Sequence, residues 1–311
     1  GIYLIQGDNK GWADDELVDN ENGNYDYLMY ADIDFKHPEV IQNLYDWAHW
    51  FIETTGIQGF RLDAIKHIDS FFMGNFIRDI TAKYGEDFYV FGEFWNADET
   101  ANNDYLESID YRFDLVDVKL HQNFFDASRA GADFDLRTIF DHTLAKNHPE
   151  SAVTFVDNHD TQRGQALEST VEEWFKPAAY ALILLRDEGL PCVFYGDYYG
   201  ISGEFAQESF QEVLDMLLDV RLNLAYGEQT DYFDDANCIG WTRQGKDGGQ
   251  PIALVVSNDQ ASSKRMLVGS EWAGKEFSDY LGKSSQIVTI DEEGWGDFPV
   301  EEKSVSVWSV K

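Results

Sequence analysis

The sequence has few cationic residues, two cysteines and no long apolar run, and each of these shortages excludes a class of protein. Among 311 residues, 23 are Lys or Arg and 58 are Asp or Glu, which gives a formal net charge of −35. A field of that sign repels phosphate backbones and anionic lipid surfaces. No apolar run approaches the roughly 20 residues that span a bilayer. We therefore expect neither a nucleic-acid partner nor a membrane partner.

The two cysteines, Cys192 and Cys238, are too few for a disulfide scaffold and do not have the spacing of a metal site. Cys192 lies in the apolar segment PCVFYG, which predicts a buried free thiol. Free thiols favour a reducing compartment. The excess of acidic residues is typical both of an ordinary acidic cytosolic protein and of adaptation to salt, and composition does not separate the two.

What the sequence does contain is enough apolar material for a packed core, since 43% of the residues are hydrophobic and 15% are aromatic. Apolar, strand-like runs alternate with amphipathic stretches, as in βα units, and this predicts a parallel sheet wrapped in helices. The predicted strands are 56–63, 88–93, 113–118, 152–157 and 191–196. The predicted helices are 38–54, 69–83, 167–187 and 204–226.

After about residue 227 the pattern changes to short alternating or β-branched runs, which predicts an antiparallel all-β domain. The predicted strands are 252–257, 265–268, 286–290 and 304–310. In the first part, five parallel strands are three fewer than a closed (β/α)8 barrel needs. The opening segment GIYLIQGDNKG is neither a Met start nor a signal peptide, so we expect the chain to be part of a longer protein.

Carboxylates follow the predicted strands where active sites of β/α barrels gather. Asp63 ends one strand and Glu93 ends the next, while Asp157 and Asp160 follow a third. Arg61, two residues before Asp63, projects to the same side and favours its ionised form, as a nucleophile requires. Aromatic neighbours favour a protonated Glu93, the state of a general acid. The alternatives are helix-capping acids and a structural Arg–Asp pair.

Three segments carry these acids: GFRLDAIKH at 59–67, FGEFWN at 91–96 and TFVDNHDTQ at 154–162. Together they resemble three signature segments of the alpha-amylase family of glycoside hydrolases, in its bacterial liquefying and cytoplasmic type. The resemblance implies an α/β fold, with strands 4–8 of a (β/α)8 TIM barrel followed by an antiparallel all-β C-terminal domain. It implies the end of an inserted calcium-binding subdomain B at 1–35, the barrel part at 36–226 and a C-terminal β-sandwich at 227–311.

The resemblance also implies a role for each site residue. Asp63 matches the nucleophile, Glu93 the acid/base and Asp160 the third carboxylate, which holds the substrate's ring hydroxyls. The matching substrate-binding residues are Arg61, Lys66, His67, Trp95 and His159. The implied reaction is the retaining endo-hydrolysis of α-1,4-glucosidic bonds in starch, glycogen or maltodextrins. A lone Trp such as Trp95 is otherwise more often a core residue.

Calcium is the implied cofactor. The loop 20–34 is crowded with Asn and Asp, which suit a hard cation, although a polar turn-rich loop has the same composition. By resemblance, Asp26, Asp32 and the carbonyl of His67 match the principal calcium site, while Asp15 and Asp34 match an adjoining metal cluster. Lys36 departs from that pattern, because the liquefying enzymes carry a further Asp there.

Other functions remain open at this point. Within the family, a maltooligosaccharide-forming exo-amylase or a transglycosylase would carry the same acids. The family's first signature, an Asp followed by an Asn-His pair, is absent from this sequence, so an inactive glucan- or calcium-binding fragment is an alternative. The missing N-terminal half would then be a partner supplied by another chain. A metallohydrolase using Asp63, His67, His159 and Asp160 lacks a supporting motif. We expect a cytoplasmic location, with secretion as the alternative.

Overall fold

The computed structural model describes residues 2–3 and 32–311. The described residues fall into two compact units: those up to 118 together with 151–153, and 119–150 together with 154–311. The strands are β1 (Ile2–Tyr3), β2 (Asp32–Ile33), β3 (Gly59–Leu62), β4 (Tyr89–Gly92), β5 (Asp114–Val116), β6 (Ala152–Phe155), β7 (Leu190–Cys192), β8 (Gln229–Tyr232), β9 (Cys238–Arg243), β10 (Ile252–Ser257), β11 (Ser262–Leu267), β12 (Glu276–Asp279), β13 (Ile287–Thr289), β14 (Trp295–Val300) and β15 (Val305–Val310). The α-helices are α1 (Pro38–Thr55), α2 (Ser70–Tyr84), α3 (Glu99–Ser108), α4 (Val118–Ala130), α5 (Leu144–Asn147), α6 (Lys176–Leu184), α7 (Tyr195–Tyr199) and α8 (Gln211–Asn223).

The five strands predicted for the first part form one sheet in the order β3-β4-β5-β6-β7. β3 and β4 are parallel and in register from Gly59 opposite Tyr89 to Leu62 opposite Gly92. A Cβ at Gly59 would lie 2.3 Å from the Tyr89 carbonyl oxygen, so only glycine fits this close approach of the two strands. The carboxyl ends of β3 and β4 therefore lie side by side.

Helices α1 and α2 begin and end within one residue of the predicted boundaries, and local capping contacts fix their ends. α1 begins with Pro38 and ends at Gly56, whose φ of 71° lies in the left-handed region and whose amide donates to the Ile52 carbonyl. The Asp69 carboxylate caps α2 by accepting the Phe72 amide at 2.7 Å. The buried face of α2 includes Phe72 and Ile77.

Three predictions for this region were wrong. The helix predicted over 167–187 is confined to α6, because 157–175 forms a loop that is anchored at several points. Helices α3 and α4 were missed, since the polar sequence of α3 hides its periodicity. Cys192 is exposed rather than buried. It ends β7, a strand at the edge of the described sheet, where the side chain is not covered on both sides.

The C-terminal part is antiparallel, as predicted. Six strands pair in the order β13-β12-β15-β10-β9-β8, and β11 pairs with β14. Side chains from both sheets share one core, including Phe277, Phe298 and Trp308. β10 has the predicted bounds, whereas β8, β9, β12 and β14 were missed. No helix in the part of the chain that the structure describes is long and apolar enough to cross a membrane.

Within the second unit, Arg186 ties the end of the helical part to the C-terminal sheet. Its guanidinium is buried and forms ion pairs with Glu188 at 2.9 Å and with Asp231 at 2.7 Å. The same group lies over the aromatic rings of Phe140, Phe233 and Trp241. Charge pairing and aromatic stacking together offset the cost of burying this cation.

Candidate active site

Two carboxylates stand at the adjacent ends of β3 and β4. Asp63 follows β3 and Glu93 follows β4, and the Glu93 amide donates to the Leu62 carbonyl at 2.8 Å. Arg61 donates a hydrogen bond to Asp63, and its other terminal nitrogen lies 3.8 Å from Glu93 Oε2. The Arg61 guanidinium therefore lies close to both the Asp63 and Glu93 carboxylates, which are on the same side of the sheet.

The two carboxylates have different surroundings. The Asp63 side chain is 73% exposed, whereas that of Glu93 is 9% exposed. The Ala64 amide donates to Glu93 Oε2 at 2.9 Å, and Ala64 adopts a φ of 50°, which is uncommon for a residue other than glycine. This turn after β3 points the Ala64 amide at the buried Glu93 carboxylate. Glu93 is thereby held in place and shielded from water, whereas Asp63 faces solvent.

The remaining predicted residues of the first unit follow the same two strands. Lys66 Nζ donates to the Trp95 carbonyl at 3.2 Å, which links the two loops. Lys66 and His67 belong to a single 3-10 turn after β3. Burial, together with the nearby Lys66 cation, lowers the pKa of His67. Trp95 is half-buried. The structure thus groups Arg61, Lys66, His67 and Trp95 around the loops that bear the two acids.

Asp160 and His159 lie in the second unit, in the loop after β6. Asp160 is 37% exposed at its side chain and pairs with His159 Nε2 at 3.2 Å. The Asn158 side chain accepts the main-chain amides of Asp160 at 2.8 Å and of Thr161 at 3.0 Å. This Asx turn fixes the main chain at Asp160 and leaves its carboxylate accessible.

His121 on α4 anchors both ends of that loop. Its Nδ1 lies 2.7 Å from the Val156 carbonyl, and its Nε2 lies 2.8 Å from the Ser169 hydroxyl. Because a carbonyl only accepts, Nδ1 carries the proton. Burial lowers the pKa of His121 to about 4, so the ring is neutral near pH 7.

A buried ionic cluster of Lys176, Asp157 and Asp197, which we call the lysine cluster, was missed from sequence. Lys176 Nζ lies 2.8 Å from Asp157 Oδ2 and also contacts Asp197, and all three side chains are inaccessible to solvent. The sequence pattern groups Asp157 with the other acids that follow predicted strands, and does not indicate its burial. Burial raises its pKa to about 6, against the opposing effect of Lys176. The available signal was a lysine at the start of the apolar run KPAAYALIL.

The predicted calcium residues are only partly visible. Asp15 and Asp26 lie outside the described residues, as does the side chain of Asp32. Asp34 Oδ1 accepts the Lys36 amide at 2.9 Å. Over residues 2–3 and 32–311, no group of three or more His, Cys, Asp or Glu side chains is arranged to hold a metal ion. The calcium site therefore stays a prediction.

The fold and these strand-end acids define a β/α protein of the half-barrel type, followed by an antiparallel β domain. Comparison with known protein families gives two matches, the catalytic domain of alpha amylase over residues 5–251 and the alpha-amylase C-terminal domain over 253–309. The chain belongs to the alpha-amylase family.

Individual relatives agree with this assignment. An alpha-amylase of Geobacillus stearothermophilus is 48% identical over 99% of this chain and 56% of its own length. A glucan 1,4-alpha-maltohexaosidase of Bacillus sp. strain 707 is 46% identical over 99% of this chain and 59% of its own length. The chain thus spans less than two thirds of these relatives. The solved alpha-amylase of Geobacillus thermoleovorans, complexed with acarbose, superposes with a TM-score of 0.68 at 22% identity, covering 94% of this chain and 71% of that one. This last likeness concerns the fold.

Proposed function

We propose that the chain carries catalytic residues of a retaining endo-hydrolase acting on α-1,4-glucosidic bonds in starch, glycogen or maltodextrins. The observation that carries the proposal is the pair of acids sharing Arg61, with Asp63 exposed and Glu93 shielded. Retaining glycosidases need two carboxyl groups close together, one of which attacks while the other transfers protons. Since one guanidinium reaches both acids, their placement supports this mechanism.

In the proposed reaction, Glu93 donates its proton to the glycosidic oxygen as that bond breaks. The Asp63 carboxylate attacks the anomeric carbon from the opposite face, forming a covalent glycosyl-enzyme. The ionised Glu93 then takes a proton from water, and the water oxygen displaces Asp63 from the anomeric carbon. Two inversions give net retention. Arg61 donates a hydrogen bond to the Asp63 carboxylate, and the Ala64 amide orients Glu93.

Other predicted residues take supporting roles. Asp160 binds ring hydroxyls and stabilises the distorted transition state, while His159 donates to the sugar. Lys66, His67 and Trp95 line the leaving-group side, where the half-buried indole offers a flat apolar face for a pyranose ring. The similarity to a maltohexaosidase supports a second candidate, a maltooligosaccharide-forming exo-amylase. The ratio of viscosity loss to sugar release distinguishes them, because endo attack shortens chains before small sugars accumulate.

Calcium is proposed as a structural cofactor, with Asp26, Asp32 and the His67 carbonyl at the principal site. Asp15 and Asp34 are proposed for an adjoining metal cluster. These are oxygen donors, the ligands that calcium prefers. Among the ligands that the structure describes, Asp34 and the His67 carbonyl match calcium in chemical type. Asp34 uses Oδ1 to accept the Lys36 amide. We propose a cytoplasmic location, supported by two unpaired cysteines.

The test is the release of reducing ends from soluble starch by the 311-residue chain, with calcium and after chelation, beside its Glu93→Gln variant. Release by the parent alone supports the proposal. Release by both chains at equal rates would contradict the role of Glu93. Absence of release from the parent would mean that this chain does not suffice for hydrolysis. Loss of release after chelation, restored by calcium but not by zinc, would support the calcium proposal.

A further inference from the structure

The lysine cluster packs against the loop that carries Asp160. Burying its three charged side chains is energetically unfavourable, and this cost points to a role in holding that loop. Lys176 is the first residue of α6, where the helix dipole disfavours a cation. Its side chain is fully buried between Asp157 and Asp197. Replacing such buried ions by apolar residues often costs nothing in stability. Stability alone therefore does not account for this arrangement.

Asp157 connects the cluster to the loop by two contacts. Besides Lys176, its carboxylate accepts the Thr161 hydroxyl at 2.8 Å and the Val171 amide at 3.3 Å. Thr161 Oγ1 in turn accepts the Asn158 amide at 2.9 Å. Asp160 stands between Asn158 and Thr161, so the ionised Asp157 fixes the main chain on both sides of it.

Asp197 connects the cluster to the loops after β7. Tyr180 donates to its Oδ2 at 2.5 Å, and the Gln207 amide donates to its Oδ1 at 2.8 Å. Gln207 also accepts from Lys176 Nζ at 3.0 Å. Gln207 belongs to the loop that holds Phe205, whose ring packs against Gly164, four residues after Asp160. Lys176 thus contacts groups that anchor both loops.

We propose that Lys176 is a positioning residue for Asp160, acting through Asp157 to hold the loop 157–171 in the geometry that places the Asp160 carboxylate. The proposal rests on the function proposed for Asp160. Without the cation, two carboxylates would remain in the core, and Asp157 would take up a proton or turn away. Either change removes the ordered acceptor of Thr161 and Val171.

The test compares Lys176→Met with Lys264→Met. Lys264, on β11, is the control, since its side chain is 8% exposed and its Nζ lies 2.6 Å from Asp234, which is in the connection between β8 and β9. We expect Lys176→Met to accelerate amide hydrogen exchange in 157–171 by about tenfold or more, with 252–257 unchanged. We expect its kcat on starch to fall by about 100-fold, because small misplacements of a catalytic group have effects of that size. KM should change by less than about threefold.

A third variant separates positioning from charge balance: Lys176→Met combined with Asp157→Asn and Asp197→Asn. Its core is neutral, so thermal stability should recover while kcat stays low. Recovery of both thermal stability and kcat in this triple variant would overturn the proposal. So would an equal acceleration of amide hydrogen exchange in 157–171 and 252–257 of Lys176→Met. A parent chain that releases no reducing ends would show that this chain does not suffice for hydrolysis. The exchange comparison would then decide the positioning of the loop by itself.

Discussion

Lys176 Nζ lies 2.8 Å from Asp157 Oδ2, and neither side chain is accessible to solvent. Each charge would be costly to bury alone, and the two are stable in the core because they neutralise each other and satisfy further hydrogen bonds. The same burial makes Asp157 sensitive to pH, since its carboxyl group has lost water on every side. The loop that carries Asp160 is therefore tied to a titrating group.

The first prediction concerns Asp157. Burial raises its pKa from 3.8 to about 6, so the folded state holds the proton more tightly than the unfolded state. Its contribution to stability is therefore present below about pH 4 and is lost as the pH rises through about 6. In Asp157→Asn the side chain is neutral throughout. We expect the free energy of unfolding of the parent, relative to this variant, to fall between about pH 4 and pH 7, measured by urea titration.

His121 should have the opposite effect. Burial lowers its pKa from 6.5 to about 4, so the unfolded chain binds a proton at a pH where the folded chain does not. The stability that His121 contributes is present above about pH 6.5 and is lost as the pH falls through about 4, by on the order of 3 kcal/mol. Urea titrations of His121→Gln should show a smaller loss on acidification than the parent. An unchanged slope would contradict the neutral, buried ring.

The Arg186 contacts predict a large loss of stability on substitution. Arg186→Met removes the buried cation that pairs with Glu188 and Asp231 and stacks on aromatic rings, and we expect the free energy of unfolding to fall by about 2–3 kcal/mol. Arg265→Met is the matched control, because Arg265 also pairs with two carboxylates, those of Asp291 and Asp297, but is 51% exposed. Its loss should stay below about 1 kcal/mol. Equal losses in denaturant titrations would show that burial of Arg186 is not decisive.

Variants of the two strand-end acids, Asp63 and Glu93, should differ in how their activity depends on the leaving group of the substrate. Glu93→Gln and Asp63→Asn should each lower kcat on starch by about 100-fold or more, with the fold retained by circular dichroism. On an aryl glucoside whose leaving group needs no proton, the first step should be spared in Glu93→Gln but not in Asp63→Asn. The exposed Glu53→Gln, on α1, should match the parent. Equal effects of the leaving group on both variants would contradict the separate roles.

Much of the parallel sheet could be predicted because its strands are short apolar runs bounded by polar residues. β3 to β6 fall within predicted segments, and β7 overlaps the fifth segment but begins one residue before it. α1 was placed to within one residue, since its Pro start and the left-handed Gly56 after its end are local signals. The helix predicted over 167–187 was wrong in its first half for a physical reason. The apolar periodicity is present, but tertiary hydrogen bonds with Asp157 and His121 hold this half as a loop.

The sequence by itself determined the β/α order, the antiparallel C-terminal part and the placement of Asp63 and Glu93 at the ends of neighbouring strands. Those features follow from local periodicity and from parallel register. Only the tertiary structure decided that Asp157 is buried while Asp160 stays accessible, that Lys176 lies in the core, and that Cys192 is exposed. Burial depends on which residues, distant in sequence, pack around a side chain. Local sequence patterns do not specify these neighbours.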